Sequence, residues 1–278
     1  MYRFVMMALA ALTVVNAHAQ TPIKAANREL NVSVGAQKTD YFERDDHGLT
    51  GGGSVLDSEK GTQPSVKLSY TAQGDLVDES KIYVRDLYFN MSYAYSDGKT
   101  QYDGYLQNLQ TGALTPYNTR TKVSTSDFQM KIGKGFVFFP SKSLQITPYA
   151  SYRWRSWKRD SSSDQFGYLE QYDHSAIALG SRLQAAVTPR LVVSLDGSVG
   201  RIQNANLTVQ HELKFELGSK PIYTAGIDFD YALNNWHINA GYQYTRFEYG
   251  ESPVVSGFFE PASRTTLYDL YAGASYGF

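Results

Sequence analysis

Tyr271-Ala272-Gly273-Ala274-Ser275-Tyr276-Gly277-Phe278, the carboxy-terminal stretch, decides the fold. Aromatic or small side chains alternate here with glycine or polar ones, which is the two-residue period of a β-strand with unlike faces. The chain then stops on a bare Phe278. A strand folded in water gains nothing from such an ending. A strand that closes a sheet in lipid can seat the terminal ring at the apolar boundary.

The same period recurs upstream. Leu30, Val32, Val34 and Ala36 alternate with Asn31, Ser33, Gly35 and Gln37. Val66, Leu68, Tyr70 and Ala72 alternate with Lys67, Ser69 and Thr71, and Leu87, Phe89, Met91, Tyr93 and Tyr95 with Asp86, Tyr88, Asn90, Ser92 and Ala94. Short breaks at Pro140-Ser141-Lys142, Thr188-Pro189-Arg190 and Asn234-Asn235 separate long runs, and paired Asn tolerates the positive φ of a two-residue hairpin turn. The other connections are long and rich in Gly, Ser, Asp and Pro: 44–61, 104–126, 158–167, 204–220 and 251–263. Short turns on one side and long loops on the other predict an all-β fold, a transmembrane antiparallel up-and-down barrel. Ten strands are expected, or twelve if 51–58 or 106–117 hides a hairpin. A Tyr-rich soluble sandwich is the alternative, and it has no cause to sort its connections by length.

Composition agrees. Mean hydropathy is −0.38, yet the chain carries 22 Tyr, 14 Phe and 3 Trp, the mixture needed for a lipid face, a polar lumen and aromatic girdles. Residues 1–19 read as a signal peptide, with Arg3, an apolar run from Phe4 to Val15 and Ala17-His18-Ala19 as the cleavage site. Residues 20–27 are expected to be a periplasmic lead-in and 28–278 the barrel. No stretch reaches the length of a helical span. There is no cysteine, the net charge is −1 and no basic block occurs, so neither disulfides nor nucleic-acid binding is expected.

Tyr271, Gly273, Tyr276 and Phe278 occupy the places of the pattern polar, any, Gly, any, any, aromatic, any, aromatic. The segment thus resembles the carboxy-terminal insertion signal of outer-membrane β-barrels of Gram-negative bacteria, with Tyr271 only weakly polar. The resemblance implies export to the outer membrane, contact with its lipid and lipopolysaccharide, and assembly by the barrel assembly machinery through the last strand. Leu56-Asp57-Ser58-Glu59-Lys60-Gly61 also looks like a stretch of other proteobacterial barrels, with no function attached.

In a tight hairpin, residues equidistant from the turn face each other. This sets Arg182 opposite Asp196, Gln129 opposite Arg153, Lys131 opposite Ser151, Asp127 opposite Arg155 and Asp230 opposite Asn239. Asp228 and His237 share the inner face, and Asp86 and Asp269 point inward. The lumen is therefore expected to hold a charge network of Asp86, Asp127, Lys131, Arg153, Arg155, Arg182, Asp196, Asp228, Asp230 and Asp269. Such a network either fills the barrel or lines a narrow passage for small hydrophilic solutes. Lys134 falls on the lipid face, so either a bulge at Gly133 or Gly135 flips the register or the side chain snorkels.

Ten-stranded barrels include the omptin proteases, which this chain resembles in size and expected strand number. That resemblance requires an acidic pair facing a His-Asp pair across the outer rim. Asp45-Asp46-His47 and Asp173-His174 are the candidates, but strand neighbours point to opposite faces, and the omptin spacing of one residue between Asp and His is absent. No GxSxG occurs, no metal cluster or cofactor is indicated, and Asp40, Glu43, Asp45 and Asp46 read as a solvated acidic loop rather than a calcium site. Arg153, Arg155, Lys158 and Arg159, with Trp154 and Trp157, read as a girdle or as a basic rim for lipopolysaccharide phosphates. Apolar residues in 106–117 and 253–259 suit loops that bind host surface ligands, and equally loops that fold into the barrel mouth. The expected function is a non-enzymatic, porin-like barrel; a closed surface-binding, adhesive or structural barrel is the alternative.

Overall fold

A computed structural model describes residues 21–278 apart from 52–54, 79–80, 108–110, 112 and 139–142. The expected signal peptide and the Pro140-Ser141-Lys142 turn lie outside the described residues. Helix α1 (Pro22–Ala26) precedes strands β1 (Glu29–Arg44), β2 (Val55–Asp78), β3 (Lys81–Gln107), β4 (Leu114–Lys134), β5 (Phe136–Phe138), β6 (Leu144–Asp160), β7 (Leu169–Ala186), β8 (Leu191–Val209), β9 (Leu213–Glu216), β10 (Pro221–Leu233), β11 (Trp236–Tyr249) and β12 (Ser263–Gly277).

Every long strand pairs antiparallel with its chain neighbours, and β12 returns to β1 from Glu29–Gly277 to Glu43–Ser263, closing a ten-stranded barrel. Neither extra strand adds a wall. β5 continues the line of β4 beyond Gly135, and β9 folds back on the outer end of β8. Where the wall is closed, each strand has a partner on both sides, which satisfies its backbone polar groups without water. Gly273 sits at a close approach of β12 to β1: a Cβ there would run into the Val32 carbonyl.

The hairpin arithmetic holds at every pair. Arg182 faces Asp196, Gln129 faces Arg153, Lys131 faces Ser151, Asp127 faces Arg155 and Asp230 faces Asn239. Asn234 takes φ 61°, as its two-residue turn requires. At Lys134 there is no bulge. Gly133–Tyr149 and Phe136–Ile146 keep one register across the gap, where Pro148 has no N–H to give, and Lys134 lies on the outer face over the Phe136 ring at 5.3 Å.

The outer face carries an apolar band that includes Leu30, Val32, Val34, Val66, Leu68, Ile177, Leu179, Leu195, Val199, Ile238 and Leu270, all exposed. Aromatic side chains bound it: Trp154 above, and Trp236 packed edge-on against Tyr276 at 5.3 Å below. Beyond the band the strands continue outward. Pairs such as Gly104–Tyr117 and Arg44–Val55 lie within stretches expected to be loops. The expected loop 104–126 is therefore largely strand, and 44–61 and 204–220 are strand in part. Both faces of the projecting wall are polar, which erases the alternation that marks a half-buried strand.

Candidate functional site

The lumen is filled in tiers. At the end where β1 begins and β12 finishes, α1 lies inside the mouth, with Thr21 accepting the Lys24 N–H at 3.3 Å as its cap and Ile23 buried beside Val192 and Ala186. Lys24 reaches Asp86 at 2.6 Å. Asn27 donates to Gln73 and to Gln184 at 2.7 Å each, and Gln73 and Gln145 exchange hydrogen bonds of 2.9 and 3.0 Å. These four amides come from the N-terminal segment, β2, β6 and β7 and are at most 2 % exposed. They bond across the lumen and lock it.

Above them Arg182 bonds Asp228 at 2.9 Å and stands 3.7 Å from Asp196, while Lys131 reaches Asp196 at 3.0 Å. Tyr149 donates to Asp196 at 2.5 Å and Tyr271 donates to Asp228. The next tier holds Asp127 between Arg153 at 2.5 Å and Arg155 at 3.2 Å, with Asp269 accepting from Gln37 at 2.8 Å. Cavities of about 100 Å³ and 50 Å³ occupy what space these side chains leave. The network residues expected from the sequence thus all face inward, but as separate groups: Asp86 serves the plug, Asp230 binds His237 and Asp269 binds Gln37.

At the outer end Tyr41, Trp157, Tyr172, Phe247, Tyr249 and Leu267 form a buried layer across the barrel, Tyr172 stacking on Tyr249 at 5.9 Å. Against it lies an arginine that the sequence reading put on a rim. Arg159 is 4 % exposed, bonds Glu59 and Tyr172, reaches Glu170 at 2.9 Å and stands 4.0 Å from Glu43. Tyr41 donates to Glu43 at 2.6 Å and Tyr172 to Glu260 at 2.7 Å, and Asp57 is buried alongside. The basic rim is corrected on this point. Arg153, Arg155 and Arg159 point inward with Trp157, because alternate strand residues share a face, and Trp154 alone of the two indoles faces lipid.

This acidic cup holds more carboxylates than Arg159 can neutralise. Burial pushes Glu170 up to about 7 despite Arg159, raises Glu43, and raises Asp57 and Glu260 well above the usual carboxylate range with Glu43 as their next cause. The cup was missed because its residues come from β1, β2, β6, β7 and the 250–262 loop. Its one local signal was Asp57 and Glu59, two apart and so on one strand face.

The proteolytic candidates are not assembled. Asp45 closes its own turn, accepting from the Leu49 and Thr50 N–H groups at 2.6 and 2.7 Å. His47 pairs with Glu251 at 2.7 Å on the surface. His174 faces inward to the Tyr249 hydroxyl at 2.7 Å, and Asp173 bonds Gln171 on the opposite face. Nor do the loop acids form a calcium site: Asp40 stands 3.8 Å from Lys60 on the outside, whereas Glu43 lies in the cup. Among the described residues, a set with metal-ligand geometry is Glu29, Asp230 and His237.

No protein-family model matches the chain, and no curated protein matches its sequence. Solved structures do. The outer membrane protease OmpT from Escherichia coli superposes with a TM-score of 0.55 at 10 % identity, over 94 % of this chain and 99 % of that one. The β domain of the Bordetella autotransporter BrkA follows at 0.39 and 12 % identity, over 90 % and 100 %. Ail, the attachment invasion locus protein of Yersinia pestis, gives 0.31 and 12 % identity, over 90 % and 99 %. The likeness to OmpT is one of fold alone. With the closed wall and the apolar outer band, it defines the fold class: the chain is a closed ten-stranded antiparallel β-barrel, the fold that outer-membrane barrels have.

Proposed function

We propose that this chain is a closed outer-membrane barrel that works through its extracellular end, as a surface-binding or structural protein, and not as an enzyme. The observation that carries the reading is the amide lock of Asn27, Gln73, Gln145 and Gln184, which spans the mouth that a solute would have to cross. The ion pairs and the aromatic layer above it oppose passage at two further levels. The projecting strands β2, β3 and β4, of 24, 27 and 21 residues, lift the loops well clear of the lipid, as a surface contact needs. Residues 1–19 act as the export signal, and Tyr271, Gly273, Tyr276 and Phe278 present the last strand to the assembly machinery.

The porin-like reading keeps one observation in its favour, the polar cavity of about 100 Å³ walled by Lys131, Arg182, Asp196 and Asp228. Swelling of liposomes that carry the refolded barrel separates the two. The closed reading predicts no uptake of small sugars, together with cell-surface binding that is lost when 250–262 is replaced by a short Gly-Ser turn. Sugar uptake by the unaltered barrel would establish the porin instead. The protease reading rests on fold likeness alone; hydrolysis of a peptide library, lost on His47→Ala or His174→Ala, would revive it.

A further inference from the structure

We propose that Glu29, Asp230 and His237 form a binding site for a divalent first-row transition ion of the zinc type, on the lumen wall near the periplasmic mouth. The three come from β1, β10 and β11, and their ligand atoms all lie within 4.8 Å of one another. His237 Nδ1 stands 2.7 Å from Asp230 Oδ1 and 3.8 Å from Glu29 Oε2. Those separations bracket the roughly 3.3 Å between ligand atoms around a tetrahedral ion with bonds of about 2.0–2.1 Å. Small side-chain rotations therefore suffice to admit it.

The surroundings are those of a built site. Asn239 donates to Asp230 Oδ2 at 2.5 Å, which fixes the carboxylate and leaves Oδ1 aimed at the imidazole. Ser275 donates to Glu29, and Asn31 donates to Asn239 Oδ1 at 2.7 Å. Outer partners of this kind hold metal ligands in place. Glu29 and Asp230 also line the 100 Å³ cavity, so a water can complete the coordination from that side.

Charge points the same way. His237 is 3 % exposed and the two carboxylates are 9 % exposed each. One imidazolium cannot balance two carboxylates, and the cavity's cations sit elsewhere: Arg182 is held by Asp228 and Asp196, Lys131 by Asp196, and Lys67 lies over the Tyr271 ring at 4.8 Å. A divalent ion beside a neutral imidazole balances both acids.

The test uses the refolded full barrel in detergent, stripped with a chelator and titrated with Co²⁺, followed by Zn²⁺ competition. The expected result is one ion per barrel, with the intense visible absorption of tetrahedral cobalt that Zn²⁺ bleaches. Glu29→Gln and His237→Ala should each weaken binding at least tenfold, while His47→Ala leaves it unchanged. Heat-modifiable electrophoretic mobility checks that each variant is folded, and Asp230→Asn, isosteric, serves if His237→Ala is not. No cobalt band in the unaltered barrel, or equal binding by folded Glu29→Gln and Asp230→Asn, would overturn the proposal.

Discussion

Arg182 shows what a single lumen residue does and how much of it can be read in advance. Its strand partner Asp196 followed from the Thr188-Pro189-Arg190 turn, because register fixes neighbours along the wall. Its nearer carboxylate, Asp228 at 2.9 Å, lies on β10, the strand beyond β8 in the wall, and the Thr188-Pro189-Arg190 hairpin could not reveal it. Asp196 meanwhile also holds Lys131 at 3.0 Å. A charge swap should therefore rescue selectively. Arg182→Asp is expected to cost about 2–4 kcal/mol by stranding partly buried charge. Adding Asp228→Arg should restore more of it than adding Asp196→Arg, which sets a cation beside Lys131. Urea unfolding of the two double variants in lipid checks the order, and equal rescue would break the assignment of Asp228 as the main partner of Arg182. Asp127→Asn is the companion case. It leaves Arg153 and Arg155 buried without their shared carboxylate, and a loss of about 3–5 kcal/mol is expected in the same assay.

At the scale of elements, the strands within the lipid were legible and the projecting ones were not. Inside the band one face must be apolar, so Val66, Leu68 and Tyr70 stand out from Lys67, Ser69 and Thr71. Above it water meets one face and the polar cup the other, so 104–107 and 114–126 read as loop while being strand. The plug helix escaped notice because its five residues are too few to show a helical period. The cup gives this outer element a pH dependence of known sign. Glu43, Asp57, Glu170 and Glu260 hold protons more tightly in the folded barrel than in the unfolded chain, so their stabilising contribution is full below the ordinary carboxylate pKa. It declines as pH rises, for Glu170 across the range from 4.5 to about 7. Limited proteolysis of the outer strands should therefore be slower at pH 5 than at pH 8 after correction for protease activity. Glu260→Gln, which keeps the Tyr172 contact without the charge, should flatten the difference. A steeper profile in that variant would contradict the cup's electrostatics.

For the whole molecule, closure unites these parts. Phe278 does at this scale what the terminal stretch promised: it stacks on Tyr70 at 5.5 Å and 6°, tying the last residue to β2 across β1. Deleting it should slow membrane assembly and leave export unchanged, as read from surface accessibility against periplasmic accumulation. The barrel so closed is then filled, from the amide lock to the aromatic layer, and its filling is the central claim. Single-channel current in a planar bilayer tests it most directly. The unaltered barrel, with insertion verified, should stay silent, and a variant lacking 21–27 and carrying Gln73→Ala and Gln184→Ala should conduct more than it does. Discrete ohmic steps from the unaltered barrel that change on substituting Arg182 or Asp196 would contradict the account and make the lumen a passage.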